Sequence, residues 1–149
     1  MPNHVHLVLV PSTSESLSRS VSELHRSYTQ KVNRRNGWTG CLWQGRYFSF
    51  PMDEHQLLRA VRYVLLNPVR AGLVENARDW PYSSVRCHIN NRSDGIVDPE
   101  PLAQRVDNWS AFLAEDVSPE EASQIRFHQR TGRPLGDRND MKRLTTSAE

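Results

Sequence analysis

The sequence predicts a mixed α+β domain, because its first half joins one strand-like segment to two helix-like segments. Residues 3–10 form an apolar run rich in valine, which suits a strand that ends at Pro11. Residues 16–33 place apolar side chains at three- and four-residue spacing, as a helix with one buried face requires. The same spacing recurs over residues 54–66, which predicts a second helix.

Local signals predict where several elements begin and end. Asp53 suits the N-cap of the second helix, because its carboxylate can accept hydrogen bonds from the free backbone N–H groups. Pro68 disfavours helical geometry in Asn67, so this helix is predicted to stop there. Residues 42–50 are rich in aromatic side chains and are predicted to be extended. A further helix is predicted to start at residues 118–121, where proline and two acids follow a serine.

Length and composition fit one ordinary domain followed by a tail. The 149 residues are 37% hydrophobic, which suffices for one modest core, and we place the domain at residues 1–92 and a linker with a helical tail at 93–149. Cys41 and Cys87 form no metal-type pair and are too few for a disulfide framework, which favours a reducing cytoplasm. Since no run approaches the roughly 18 apolar residues of a membrane span, no membrane association is expected.

Charge is divided unevenly along the chain. Residues 1–92 carry 12 Lys and Arg against 6 Asp and Glu, whereas residues 93–149 carry 7 against 11. Eleven of the first twelve cations are arginines, whose planar guanidinium groups suit phosphate. The first part therefore fits a polyanionic partner such as nucleic acid, although a solvated basic surface would give the same composition.

His4 and His6 are candidates for a metal site. Side chains two residues apart on a strand point the same way, so both imidazoles can reach one cation. The pattern by itself is weak evidence, since His-x-His is found on strand faces without a metal. The remaining histidines have no comparable spacing and are interpreted as surface or structural residues: His25, His55, His88 and His128.

Tyr63 and Asn67 are candidates for the chemistry beside that pair. On a helical wheel of about 100° per residue they lie away from the stripe that contains Val61 and Leu65. This predicts that Tyr63 points away from the core and shares its surface with an amide one turn further on. The alternative interpretation is an interfacial tyrosine that packs against the sheet.

A tyrosine beside a bound cation suits the reversible cleavage of a phosphodiester. The oxygen nucleophile forms an aryl phosphate, which departs more readily than an alkyl phosphate, and the cation stabilises charge on the non-bridging oxygens. Two neutral imidazoles and one amide oxygen hold a divalent cation without adding charge, which favours Mg²⁺ or Mn²⁺. Zinc would be expected with more thiolates or a closed tetrahedral site.

Four segments, in order, resemble the REP-associated tyrosine transposases of bacteria, which are single-tyrosine transposases with an HUH motif. Together they cover about residues 1–88. They are residues 1–8 with the His-x-His pair, 40–47 with a Leu-Trp-x-x-Arg pattern, 63–72 with the catalytic helix and its exit, and 80–84 with Trp-Pro-Tyr-Ser-Ser; residues 132–136 resemble, more weakly, a tail motif of longer members.

The resemblance implies a fold and a reaction. The implied fold is the ferredoxin-like HUH fold, an antiparallel sheet with helices packed on it and the histidine pair on a central strand. Tyr63 would attack DNA and keep a 5′-phosphotyrosine while a free 3′-hydroxyl is released. His4 and His6 would bind the metal, and Asn67 would complete the ligand set.

The resemblance also implies a setting for this reaction. The implied partner is single-stranded or hairpin-forming repetitive extragenic DNA, bound by a monomer or homodimer in the bacterial cytoplasm, associated with the nucleoid. Family members carry strands and a helix ahead of the HUH segment. Because Met1 already lies inside that segment, we expect either a start codon further upstream or a domain at residues 1–92 that is truncated at its N-terminus.

Two other functions fit the same residues. One is a truncated, inactive remnant that binds DNA without cutting it. The other is a metal-dependent hydrolase in which the histidine pair activates water, but such sites usually use carboxylates, and none is near either histidine in sequence or on the Tyr63 face. For contacts to the DNA backbone we expect five arginines of the basic part: Arg19, Arg26, Arg34, Arg35 and Arg46.

Overall fold

The computed structural model describes residues 1–137, and the regular secondary structure of this part is helical. The final residues of the predicted tail, 138–149, lie outside the described residues. None of the helices in residues 1–137 combines the length and apolarity needed to span a bilayer. The helices are α1 (Ser16–Asn36), α2 (Glu54–Arg70), α3 (Val85–Ile89), α4 (Glu100–Ala103), α5 (Trp109–Ala114) and α6 (Pro119–Thr131), with a 3-10 helix at Ala77–Asp79.

The predicted antiparallel sheet is not formed by the described residues, so the α+β, ferredoxin-like fold class is wrong for this structure. The histidine-containing run and residues 42–50 are irregular, and the β-type pairing found is an isolated bridge between Met52 and Leu135. A strand is stable when a neighbouring strand pairs with its N–H and C=O groups, and the run has no such neighbour within residues 1–137. Its apolar side chains are therefore largely exposed, as Val5 at 63% and Val10 at 94% illustrate.

The first predicted helix is confirmed and is slightly longer than expected. α1 ends at Asn36 and is capped by Gly37, which has a φ of 66° and donates its N–H to the carbonyl of Asn33. Val21 is its buried residue, whereas Leu24 and Tyr28 of the predicted buried stripe are about half exposed. Most of α1 therefore lies on the surface, and its apolar stripe is only partly covered.

α2 is the central helix of the structure. Its predicted N-cap is confirmed, since the Asp53 carboxylate accepts a hydrogen bond from the N–H of Gln56. The predicted end at Asn67 is wrong, because the helix continues through Pro68 to Arg70. Proline costs one helical hydrogen bond, but its φ fits a helix, and burial of the Pro68 ring against the core favours the continuation.

The hydrophobic core is built around α2 and draws on both sides of residue 92. Val61 and Leu65 are each 3% exposed, and Val85 on α3 is 1% exposed. Phe112 on α5 and Ile125 on α6 belong to the same buried cluster. Helices α5 and α6, which follow residue 92, thus share one core with α2. The division into a domain at residues 1–92 and a tail at residues 93–149 stays a prediction.

The segment after α6 is bonded to the start of α2. Leu135 donates its N–H to the carbonyl of Pro51 and accepts a hydrogen bond from the N–H of Asp53. The carboxylate of Asp53 also accepts the N–H of Asp137 at 2.8 Å. Gly136 permits this approach, since a Cβ there would lie 1.9 Å from Asp53 Oδ2. These bonds fix the end of the α6 segment against the N-terminus of α2.

Candidate functional site

The histidine pair lies beside Tyr63. The ring centroids of His4 and His6 are 4.8 Å apart, with their planes at 82°. The centroid of the Tyr63 ring is 5.9 Å from that of His6, and these planes meet at 75°, an edge-to-face contact. Residues that are far apart in the sequence, on an irregular segment and on α2, are therefore neighbours in the structure.

Tyr63 is buried, which contradicts the helical-wheel prediction that it points away from the core. Its side chain is 5% exposed and belongs to the core cluster. The wheel assumed one buried stripe, but α2 is also covered on the Tyr63 side by residues 5–9 and by Ile125 of α6, which line a common cavity with it. The guanidinium of Arg70 lies over the Tyr63 ring, 4.7 Å from its centroid, and holds the ring by a cation–π contact.

An open cavity of about 220 Å³ gives access to Tyr63. Its polar lining includes His6, Tyr63 and Gln129, and much of the remaining wall is apolar, from residues 5–9 and 47–50. A largely apolar wall with a few convergent polar groups is typical of ligand sites. The cavity therefore provides an entry path to His6 and Tyr63, whereas His4 and Asn67 are not part of its wall.

The amide groups beside the two imidazoles favour opposite neutral tautomers. Nδ1 of His4 lies 2.7 Å from the amide oxygen of Asn3, which can only accept, so the proton is on Nδ1 and the Nε2 lone pair is free. Nδ1 of His6 lies 3.3 Å from Nε2 of Gln129, a donor that favours the lone pair on Nδ1 and the proton on Nε2. His4 thus offers Nε2 to a cation directly, and His6 offers it once its proton is on Nδ1.

Both histidines favour the uncharged form. Burial, together with the nearby His4 and the positive N-terminus, lowers the pKa of His6 to about 4. Burial and the N-terminal charge also lower the pKa of His4. A neutral imidazole is the form that binds metal ions, so the pair is ready to act as ligands at neutral pH.

The donors at the site fit a divalent cation in type and charge. Two neutral imidazoles 4.8 Å apart are close enough to bind one ion. Within residues 1–137, no group of three His, Cys, Asp or Glu side chains is placed to hold a metal, so a third donor would have to be of another type. Asn67 lies one turn beyond Tyr63 on α2 and is half-buried, but no hydrogen bond joins its amide to either histidine in this part of the chain.

The five arginines predicted to contact DNA differ in their pairing. Arg19 and Arg26 form exposed ion pairs with Glu15 and Glu23, at 2.6 and 2.7 Å. Such solvent-exposed pairs contribute little to stability, so a phosphate could replace the carboxylate at small cost. The other three, Arg34 and Arg35 at the end of α1 and Arg46 after it, are in no ion pair with described residues.

Sequence reasoning missed two residues of the site. Arg70 lies two turns after Tyr63 on the same helix, so its spacing could have indicated that the two side chains are near each other. Gln129 lies on α6, and no local pattern connects it to a histidine near the other end of the chain. A single sequence carried no signal for this second contact.

The comparisons with known proteins relate the first part of the chain to transposases. Residues 1–66, which include His4, His6 and Tyr63, match the family described as "Transposase IS200 like". The first part of the chain is therefore similar to the IS200-like transposases. The match ends one residue before Asn67.

Two curated relatives confirm the resemblance to REP-associated tyrosine transposases. A protein of that description from Haemophilus influenzae is 28% identical over 95 residues, which covers 56% of this chain and 54% of that protein. Another from Escherichia coli is 26% identical over 85 residues, covering 56% and 49%. The chain thus spans about half the length of the curated relatives it matches. No solved structure matches it.

Proposed function

We propose that this protein cuts and rejoins single-stranded DNA at hairpin-forming repeats, with Tyr63 as the nucleophile. His4, His6 and Asn67 would hold Mg²⁺ or Mn²⁺ beside it. The contact that carries the proposal is the edge-to-face packing of His6 on Tyr63, at 5.9 Å between ring centroids. This reaction requires a phenol and metal-binding imidazoles side by side, and these are the residue types that meet here.

In the proposed reaction the Oη atom of Tyr63 attacks the phosphorus of a phosphodiester. The new Oη–P bond forms as the bond from phosphorus to the 3′-oxygen breaks. The phenolic proton passes to solvent, and the 3′-oxygen takes up a proton and leaves as a free 3′-hydroxyl. A 3′-hydroxyl can later attack the same phosphorus and release the phenol, so rejoining needs no ATP.

The surrounding residues would orient and assist this attack. A divalent cation would supply stabilisation of the charge on the non-bridging phosphate oxygens. His4 and His6 are neutral at neutral pH, because burial lowers the pKa of both. The guanidinium of Arg70 stacks on the face of the Tyr63 ring and so places a positive charge near the site of attack.

A Tyr63→Phe variant tests the proposal most simply. Wild-type protein incubated with labelled single-stranded hairpin DNA and Mn²⁺ is expected to form a protein–DNA adduct that survives a denaturing gel. Tyr63→Phe is expected to form none, because it removes the attacking oxygen while keeping the buried ring. Tyr82→Phe is the matched control, since this tyrosine is 82% exposed, and it is expected to form the adduct as wild type does.

Other outcomes of this experiment would favour the two alternatives. DNA that shifts on a native gel without any adduct would contradict the nucleophile and indicate a DNA-binding remnant. Cut product that persists in Tyr63→Phe would indicate a hydrolase. That last reading lacks support among residues 1–137, because no carboxylate joins the histidine pair there in a metal-binding group.

A further inference from the structure

α6 crosses the candidate site although it lies far beyond the residues that match the transposase family. At its start, Glu121 accepts a hydrogen bond from Arg59 of α2 at 2.8 Å and also completes the capping box with Ser118. Beyond its end, Leu135 pairs with the backbone of Pro51 and Asp53. Both ends of the segment are thus bonded to the first half of α2 or the residues before it, which fixes the position of α6 over the site.

The register of α6 brings Gln129 to the cavity. Ala122 and Ile125 are the buried residues of the helix, at 3% and 4% exposure. Gln129 follows Ile125 by four residues and so lies on the same face of the helix. Its side chain lines the cavity together with His6 and Tyr63.

The amide of Gln129 influences which nitrogen of His6 carries the proton. Its Nε2 lies 3.3 Å from Nδ1, and a donor in that position favours the ring proton on Nε2. A cation bound at Nε2 would require the proton on Nδ1, with a hydrogen-bond acceptor facing it. A half-turn about the last side-chain torsion exchanges Nε2 and Oε1 of a glutamine, so the same amide can serve as the donor or the acceptor.

We propose that Gln129 is a positioning residue for His6, which it holds through Nδ1 in both neutral tautomers and so adapts to the binding of a cation at Nε2. This role depends on the proposed function in one respect, because the proposed function supplies the identity of the cation. Glutamine suits this role because it can both donate to Nδ1 and accept from it. A carbonyl or a carboxylate can only accept, so it would pair with one of the two tautomers. An apolar side chain could serve neither.

Two replacements of Gln129 and one control test this role in the full-length chain. Gln129→Met keeps the length and removes the hydrogen bond, and Gln129→Glu leaves an acceptor alone. Gln124→Met is the matched control, since Gln124 is an exposed glutamine on the same helix. The tautomer of His6 is measured by two-bond ¹H–¹⁵N NMR of the metal-free protein near neutral pH, and affinity for Mn²⁺ alone is measured by calorimetry.

In wild type and Gln124→Met we expect the His6 proton mainly on Nε2. Gln129→Glu is expected to move it mainly to Nδ1, and Gln129→Met to give a mixture. Gln129→Met is expected to bind Mn²⁺ about tenfold more weakly than wild type, the lower end of the 10- to 100-fold range typical of residues that orient a metal-binding histidine. Gln129→Glu is expected to bind at least as tightly, because it keeps an acceptor for the Nδ1 proton.

A wild-type tautomer of His6 in both Gln129 variants would overturn the proposal, and so would equal Mn²⁺ affinity of wild type and Gln129→Met. The NMR measurement needs neither DNA nor the phenol of Tyr63. A shifted tautomer in a protein that forms no DNA adduct would therefore defeat the proposed function and leave the role of Gln129 standing. An adduct with unshifted tautomers would do the reverse.

Discussion

Replacing His6 with alanine is expected to slow adduct formation by about three orders of magnitude. The variant loses one of two imidazole ligands, and a cation that stabilises transferring phosphate contributes several kcal/mol, at about 1.4 kcal/mol for each factor of ten in rate. The measurement is the initial rate of adduct formation with Mn²⁺ and saturating hairpin DNA. Calorimetry should show a parallel loss of Mn²⁺ binding, because His4 alone would remain of the pair.

His55→Ala is the control for this prediction. His55 is exposed in the first turn of α2 and is not one of the proposed metal ligands. Its replacement should leave both adduct formation and Mn²⁺ binding unchanged. If His6→Ala formed the adduct within an order of magnitude of wild type, while circular dichroism showed both variants folded, the ligand role of His6 would be wrong.

Phe112→Ala is expected to lower the free energy of unfolding by about 3–5 kcal/mol, the range for deleting a buried aromatic ring. Phe112 is 9% exposed, although it lies well beyond residue 92. The Arg62 guanidinium of α2 lies 4.4 Å from the centroid of its ring, and Trp109 packs against its edge. Urea unfolding followed by circular dichroism measures the change.

Phe48→Ala provides the comparison, since this phenylalanine is 79% exposed. Its replacement should change the free energy of unfolding by no more than about 0.5 kcal/mol. Equal stability of Phe112→Ala and wild type would mean that α5 does not share a core with α2. The helices beyond residue 92 would then have to be regarded as a separate tail.

The starts of α2 and α6 were predictable because their signals are local, whereas α4 and α5 were not predicted. The N-cap at Asp53 and the capping box at Ser118 each depend on residues within one turn, and both are present. The end of α2 was misjudged because the propensity of an Asn-Pro pair was outweighed by tertiary packing, in which Pro68 is buried. Local propensity is a weak guide where burial in the core decides the conformation.

The sheet could not be predicted reliably because a strand depends on a partner. Val5 and its neighbours have strand-like composition, but pairing with another strand is a property of two segments. Within residues 1–137 no second segment pairs with them. An apolar run therefore indicated the capacity for a strand, while the structure has an irregular segment packed against the Tyr63 side of α2.

The candidate site was predictable from residue types and only partly from geometry. His4, His6 and Tyr63 were singled out for the chemistry that they share, and they are neighbours in the structure. The burial of Tyr63 was missed because a wheel with one stripe cannot represent a helix covered on two sides. Gln129 was missed because its contact with His6 depends on how α6 packs on α2.

Peptide mapping of the DNA adduct tests the central claim most directly. Trypsin cuts after Arg62 and Arg70 and so releases the peptide Tyr63–Arg70, in which Tyr63 is the one hydroxyl-bearing side chain. After nuclease digestion, tandem mass spectrometry should find the remaining nucleotide on this peptide, attached to Tyr63. A nucleotide on a peptide that carries Tyr28, Tyr47 or Tyr82 instead would contradict the account.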